Sequence, residues 1–157
     1  MRRFFLLSIK PEYSERIFCG EKKFELRKRK LGIQRGDIVV VYTSSPTQAL
    51  TGAFMAMGEL ELPVETMWAR HRTKLGIKRG AFDEYFDGSE SAVAIPIGRA
   101  VRIPAISLPD LRRVRPGFTP PQSFMYCPDI LKDRVLRATC EQLVDATETA
   151  RLHHPTP

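Results

Sequence analysis

The most informative stretch of this sequence is GEKKFELR, residues 20–27. Apolar and charged residues alternate in its second half. Phe24 and Leu26 point one way while Glu25 and Arg27 point the other, because successive side chains of a β-strand face opposite sides. The segment therefore predicts a strand with one apolar and one charged face, entered through a glycine that lets the chain reverse direction.

The sequence on either side predicts short strands and short helices without a regular βαβ repeat. Strands are expected over residues 3–8, 22–29, 38–42, 49–62 and 92–103. Helices are expected over residues 11–19, 63–75, 80–88 and 129–150, with one helical turn at 108–113 and an irregular loop at 115–128. This pattern favours an α+β fold with a mainly antiparallel, barrel-like sheet, flanking short helices and a C-terminal helix.

The length favours one compact domain, which we place at residues 1–150, followed by a polar tail at 151–157. No apolar run approaches the roughly 20 residues that span a bilayer, and the apolar run near the N-terminus is too short for a signal peptide. We expect a cytoplasmic protein without a membrane partner. The sequence predicts no oligomeric state.

The positive charge is concentrated in one part of the chain. Residues 1–35 hold eleven Lys/Arg and four Glu, which accounts for the whole net charge of +7, while the other 122 residues hold fourteen of each sign. A concentrated basic region attracts polyanions, although a solvated charged face is an equally good interpretation of charge alone.

The three cysteines are widely spaced and form no C-x-x-C pair, and the sequence holds no glycine-rich phosphate loop and no Ser/His/Asp order typical of triad hydrolases. We therefore predict neither a metal site nor a cofactor, and expect free thiols.

Residues 20–27 match the pattern G-x-K-x-x-E-x-R, and the chain resembles the ASCH domain family, whose fold is related to the PUA RNA-binding fold. Further similarity lies in the stretches SIKPEY (8–13), VY…SP (41–46), Trp68, DEYF (83–86) and PPQSF (120–124). The resemblance implies a PUA-like β-barrel with a cleft lined by the motif, and an RNA, nucleoside or nucleotide as partner.

The residues of the motif suit such a partner. Gly20 allows close approach of the backbone, and Lys22 supplies an ammonium that contacts phosphate or, if desolvated, activates a nucleophile. Arg27 offers a planar donor fork for phosphate or a base edge. Glu25 can orient Arg27, accept from a base amino group or act as a general base, although an exposed Glu25–Arg27 pair of little energetic value remains open.

Further binding residues are expected outside the motif. Lys10 belongs to a stretch that resembles the family and is a candidate binding residue. Ser45 and Ser123 can supply neutral hydrogen bonds to a ligand, and turn-forming or capping roles are an equally good interpretation of these serines. Tyr42 is the favoured base-stacking residue, because it ends an apolar strand just before a polar loop where its hydroxyl can stay hydrated. Trp68, Tyr85 and Phe124 are the other aromatic candidates, and core packing is their alternative.

Three functions remain open at this point. The leading one is an RNA- or nucleotide-binding domain with a basic cleft, for which a regulatory role is open. The second is a hydrolase acting on a modified nucleoside or RNA, with Lys22 and Glu25 as catalytic residues. The family branch that hydrolyses N4-acetylcytidine has a threonine where this chain has Glu25, so only its lysine is matched here. The third is a regulatory domain that senses a small ligand.

Overall fold

The structure, a computed structural model, describes residues 2–139. Its strands are β1 (Phe4–Ile9), β2 (Phe24–Arg27), β3 (Arg35–Thr43), β4 (Ala49–Met57), β5 (Leu60–Pro63), β6 (Ser91–Ser107) and β7 (Phe124–Tyr126). Its helices are α1 (Pro11–Phe18), α2 (Val64–His71), α3 (Arg79–Tyr85), α4 (Leu108–Val114) and α5 over residues 129–139. The rest of the predicted C-terminal helix, residues 140–150, and the predicted tail lie outside the described residues.

Six strands follow one path through the sheet, β2-β6-β4-β3-β1-β7, and β5 pairs with β6 beside that path. β1 and β3 are parallel, and the other described pairs are antiparallel. The sheet curls into a half-barrel with helices packed around it. The predicted α+β fold with a mainly antiparallel, barrel-like sheet is confirmed, with β2 and β7 as the two ends of the strand path.

Two faces of this sheet carry separate hydrophobic clusters, because alternate residues of β1 point to opposite sides. On the face that α1 covers, the buried residues include Phe5, Leu7, Ile17, Val39, Phe54 and Ile95. On the face that α4 and α5 cover, they include Phe4, Leu6, Val40, Leu111, Leu131 and Val135. A third cluster lies between β2, β6 and the helices α2 and α3, and includes Phe24, Leu26, Met67, Leu75 and Phe82.

The predicted strand over 49–62 is in fact two strands. β4 ends at Met57, and Gly58 then adopts a φ of +98°, a conformation that redirects the chain into β5. Within β4, a register shift between Leu50 and Gly52 marks an irregularity in its pairing with β6. A Cβ at Gly52 would lie 2.4 Å from the Phe18 ring, so this glycine also lets α1 approach the sheet.

Two other boundaries differ from the prediction. β6 runs on to Ser107 rather than ending near residue 103, because its second half pairs with β4 after its first half has paired with β2 and β5. The predicted irregular loop at 115–128 contains β7, which adds a short antiparallel strand to β1. Among residues 2–139, no helix is both long and apolar enough to cross a bilayer.

Candidate functional site

The motif segment lies on β2, which is packed on both faces. Phe24 and Leu26 enter the cluster beneath α2 and α3, as the alternation predicts. Glu25 and Arg27 point to the opposite face and are also buried, so the alternative of an exposed Glu25–Arg27 pair is wrong. The flanking Lys23 is exposed, as are residues 28–30.

Lys22 is buried just before β2. Its Nζ donates a hydrogen bond to the carbonyl oxygen of Leu75 at 2.6 Å and lies 5.2 Å from the centre of the Tyr13 ring. Burial lowers the pKa of Lys22, with the carboxylate of Glu25 opposing the shift and nearby guanidinium groups adding to it. The Lys22 ammonium is therefore desolvated, which is the condition for the second of its two expected roles, activation of a nucleophile. It is not an exposed phosphate contact at a turn.

Gly76 makes room for this lysine. It has a φ of +57°, and a Cβ at this position would lie 2.5 Å from the Cβ of Lys22. The Gly76 carbonyl also accepts a 2.9 Å hydrogen bond from Arg16 of α1. The chain between α2 and α3 thus covers the lysine closely, which explains its burial.

Glu25 and Arg27 form a loose buried pair, with 3.5 Å between Glu25 Oε1 and Arg27 Nη2. Among the described residues, Glu25 Oε2 and Arg27 Nε have no hydrogen-bond partner, although neither atom is exposed to solvent. An unpartnered buried polar atom costs about 1–3 kcal/mol. Lys22, Glu25 and Arg27, here named the polar cluster, are therefore incompletely satisfied by the fold itself.

Arg27 also links strand β2 to the other end of the sheet path. Its Nη2 donates to the carbonyl oxygen of Ser8 at the end of β1, at 3.0 Å, and its Nη1 lies 3.4 Å from the carbonyl oxygen of Ser123, which precedes β7. No backbone pairing between β2 and β7 is present in the described sheet. A single guanidinium thus bridges the seam of the half-barrel.

Two tyrosines form the partly exposed border of the polar cluster. Tyr13 of α1 is half-buried. Burial raises its pKa, and the charges of Glu25 and Glu84 raise this pKa further. Tyr85 of α3 is exposed at its edge, and its hydroxyl lies 3.4 Å from the carbonyl oxygen of Leu26. Burial also raises the pKa of Tyr85, with Arg27 opposing and Glu25 adding to the shift.

The other predicted site residues fall into different places. Ser123 is exposed and reaches the polar cluster through its carbonyl oxygen. Lys10, Gly20 and Ser45 are exposed, and within residues 2–139 none of their side chains hydrogen-bonds to the cluster. The expectation of a hydrated Tyr42 is wrong, because that side chain is only 3% exposed and packs near Phe118 in the cluster under α4.

Sequence reasoning missed that Tyr13, Arg16 and the carbonyl of Leu75 surround Lys22. The position of Tyr13 beside this charged residue depends on the distant 75–76 segment. Spacing within one helix cannot reveal such a contact.

Two surface cavities of about 520 and 340 Å³ lie elsewhere. The larger is lined by residues of α1 and of strands β3, β4 and β6, including Glu15 and Arg102, and the smaller lies between β6, α4 and α5. Neither includes a residue of the polar cluster. Among residues 2–139, no group of three or more His, Cys, Asp or Glu side chains is arranged to hold a metal ion.

The fold agrees with comparisons to known proteins. The ASCH domain model matches residues 7–99, more than half of the chain, so this chain belongs to the ASCH domain family. It is 26% identical over 125 residues to an ASCH domain-containing ribonuclease from Zymomonas mobilis. The aligned residues cover 80% of this chain and 84% of that protein.

Solved structures show the same fold. The crystal structure of ASCH from Zymomonas mobilis matches with a TM-score of 0.80 and 25% identity, over 86% of this chain and 95% of that one. A hypothetical protein from Leishmania major matches with a TM-score of 0.54 and 18% identity, over 91% of this chain and 98% of that one. The second likeness extends to the fold alone.

Proposed function

We propose that this chain binds RNA, and that the polar cluster of Lys22, Glu25 and Arg27 is the centre of the binding site. Membership of the ASCH domain family and similarity to a protein named a ribonuclease support the choice of RNA as ligand. The same proposal places the protein in the cytoplasm, where RNA is available to it.

The observation that carries the proposal is the incomplete satisfaction of the polar cluster. Three charged side chains from one short segment are buried together, and Glu25 Oε2 and Arg27 Nε lack partners among the described residues. Removing such charges from water costs several kcal/mol per ion unless close contacts offset it. A site that leaves this cost uncompensated is better explained by a ligand that completes its hydrogen bonds than by folding stability.

The Ser123 carbonyl is weakly held against the polar cluster. The carbonyl oxygen of Ser123 is held by two long contacts of 3.4 Å, one from Arg27 Nη1 and one from the amide of Ser8. Typical N–H···O hydrogen bonds are 2.7–3.2 Å, so these two are weak. A phosphate oxygen or a base edge can replace this carbonyl as the acceptor of Arg27 at little cost.

Binding is tested by fluorescence anisotropy with a labelled RNA of about 12 nucleotides. Arg27→Met and Lys22→Met keep the length of the side chain and remove its charge. Each should weaken binding by at least about tenfold, equivalent to roughly 1.5 kcal/mol for a lost charge-assisted hydrogen bond. Arg137→Met, an exposed change on α5, is the matched control and should leave the affinity within twofold of wild type. Wild-type affinity in both cluster variants, with folding verified by circular dichroism, would refute the site.

A second candidate function is cleavage of RNA at the same site, favoured by the desolvated Lys22 beside Glu25. In this reaction the Glu25 carboxylate removes the proton from a 2′-hydroxyl, whose oxygen attacks the adjacent phosphorus. The bond from phosphorus to the 5′-oxygen breaks, and the Lys22 ammonium donates a proton to that leaving oxygen. The products are a 2′,3′-cyclic phosphate and a 5′-hydroxyl.

Gel analysis of RNA products separates cleavage from binding. Glu25→Gln should abolish cleavage and leave the affinity within a few-fold of wild type, and a strand lacking the 2′-hydroxyl should stay intact. Equal cleavage by wild type and Glu25→Gln would exclude the base role of Glu25. Incubation with N4-acetylcytidine in parallel tests the acetyl-amide hydrolysis of the related branch, for which Glu25 stands in the position of the threonine.

A further inference from the structure

Two aromatic side chains are exposed on the edge strand β7. Phe124 and Tyr126 are 38% and 63% exposed, and both lie on the α1 face of the sheet, where their rings are 6.4 and 5.0 Å from that of Phe5. β7 has one strand partner, β1, so its other edge is unpaired in the described sheet. Large aromatic rings in such a position are available to a ligand.

An exposed basic loop follows β2. Lys28, Arg29 and Lys30 are all exposed, and the sequence holds no acidic residue between Leu26 and Gly36. The loop then turns inward, since Leu31 and Ile33 pack into the hydrophobic cluster on the α1 face. Lys28 Nζ lies 5.2 Å from the centre of the Tyr85 ring beside the polar cluster, and the loop runs from there to the face that carries the β7 aromatics.

The loop is held in place by several hydrogen bonds. The carboxylate of Glu59 accepts from the amides of Leu31 and Gly32 at 2.7 and 3.2 Å. Arg3 donates to the carbonyl of Gly32 at 2.7 Å and forms an ion pair with Asp37 at 2.6 Å. Because its backbone is already fixed, the loop loses little conformational freedom when it binds a ligand.

Arg3 also connects this loop to the aromatic residues. Its guanidinium lies 5.2 Å from the centre of the Phe5 ring, the same ring that contacts Phe124 and Tyr126. The basic loop and the β7 aromatics therefore border one surface, here named the edge surface and defined by residues 28–30, Phe124 and Tyr126.

The polar cluster lies where the two parts of the edge surface begin. Arg27 directly precedes the basic loop, and Ser123, whose carbonyl lies beside Arg27 Nη1, directly precedes β7. A chain-like ligand held at Arg27 would place its neighbouring units over the edge surface.

We propose that the edge surface binds the nucleotides adjacent to the one held at the polar cluster, with Phe124 and Tyr126 stacking on bases and Lys28 and Lys30 contacting phosphates. This inference rests on the proposed function. Aromatic platforms beside basic side chains are the arrangement that binds unpaired nucleic acid, because every base offers a π-face. A second copy of this chain fits the surface less well, since it would bring two loops of like charge together.

Stacking is tested with two probes of about 12 nucleotides, an unpaired RNA and a ribose-phosphate strand of the same length without bases. Tyr126→Ala and Phe124→Ala should each weaken RNA binding by about fivefold or more and leave binding of the baseless strand unchanged. Equal weakening for both probes, or no weakening for either, would overturn the stacking role. Ile130→Ala, an exposed apolar change at α5, serves as the control.

Phosphate contact is tested by the salt dependence of affinity. Lys28→Ser with Lys30→Ser should reduce the slope of log K against log salt by about 1.4, since each phosphate contact on a single strand contributes about 0.7. Arg134→Ser with Arg137→Ser removes the same charge from α5, on the opposite face, and should change the slope much less. Equal changes in the two pairs would overturn the loop's role.

The two proposals fail differently. If wild type binds RNA and the polar cluster variants do not, while the edge variants match wild type, the edge surface is wrong and the proposed function stands. If wild type binds no RNA, both are wrong.

Discussion

The carboxylate of Glu25 and the guanidinium of Arg27 face each other from the same side of β2, with Oε1 3.5 Å from Nη2. Their side chains are 8% and 10% exposed, so the pair is withdrawn from water, yet its charged atoms are further apart than in a strong charge-assisted hydrogen bond. Desolvation of such a pair is offset only by close contacts. The geometry is therefore poorly suited to stabilising the fold and well suited to a ligand that supplies the missing partners.

Arg27 should also contribute to the closure of the half-barrel. Arg27→Met removes the hydrogen bonds to the carbonyls of Ser8 and Ser123 and should lower the free energy of unfolding by about 1–3 kcal/mol. Hydrogen exchange should become faster in β7. The measurements are urea unfolding and amide exchange by mass spectrometry. Arg137→Met, exposed on α5, should stay within about 0.5 kcal/mol of wild type. Unchanged exchange in β7 would contradict the bridging role.

Gly76 and Gly88 offer a matched pair of substitutions. Both have positive φ, at +57° and +76°, but a Cβ at Gly76 meets Lys22 at 2.5 Å, while a Cβ at Gly88 meets nothing within 4 Å. Gly88→Ala should cost only about 1–2 kcal/mol for the backbone conformation. Gly76→Ala should cost clearly more and should also weaken RNA binding, because it displaces Lys22. Equal losses of stability in urea unfolding would show that Lys22 is not tightly covered.

The pH dependence of stability should report the burial of Lys22. The pKa of Lys22 in the folded state lies below the ordinary value of 10.5. Between the folded pKa and 10.5 the unfolded state binds more protons than the folded state, so the free energy of unfolding should rise with pH in this window. The stability of wild type relative to Lys22→Met should therefore increase as pH rises towards 10.5. A stability difference for Lys22→Met that does not change with pH would contradict the desolvation of Lys22.

Asp37 should make the stability of the protein sensitive to acid. Burial alone would raise its pKa, but hydrogen bonds from Arg3 and from the amide of Gln34 lower it below the ordinary 3.8. Its stabilisation is present above 3.8 and is lost as pH falls through the folded pKa. Asp37→Asn should cost about 1.5–3 kcal/mol at neutral pH, and less in acid. The exposed Asp83→Asn should cost at most about 1 kcal/mol. A loss for Asp37→Asn that does not change with pH would exclude this titration.

The sequence was sufficient for the strand at the motif and for the placement of Phe24 and Leu26 in the core, because both follow from local alternation. It was not sufficient for the burial of Glu25 and Arg27. Their side of β2 is covered by segments near Ser8 and Ser123, and Ser123 lies 96 residues from Arg27 along the chain. Periodicity within one strand carries no information about such distant segments.

Contacts with distant segments also explain why the exposure of the aromatic residues could not be predicted. Tyr42 ends an apolar strand before a polar loop, which suggested exposure, but its ring is covered by Phe118 and the α4 region. Phe124 lies in a proline-rich stretch that predicted no strand, because three residues are too few to give a periodic signal. Its exposure on an edge strand became evident only from the pairing of β7 with β1.

The Nε–H resonance of the Arg27 guanidinium reports directly on whether RNA binds at the polar cluster. This N–H lacks a hydrogen-bond partner among the described residues, and an Arg27→Lys variant assigns its signal in a ¹H–¹⁵N spectrum by removing it. On titration with RNA, this resonance should shift and saturate together with the binding isotherm measured by anisotropy. An Arg27 Nε resonance that stays in place while RNA binding saturates would show that RNA is bound away from the polar cluster.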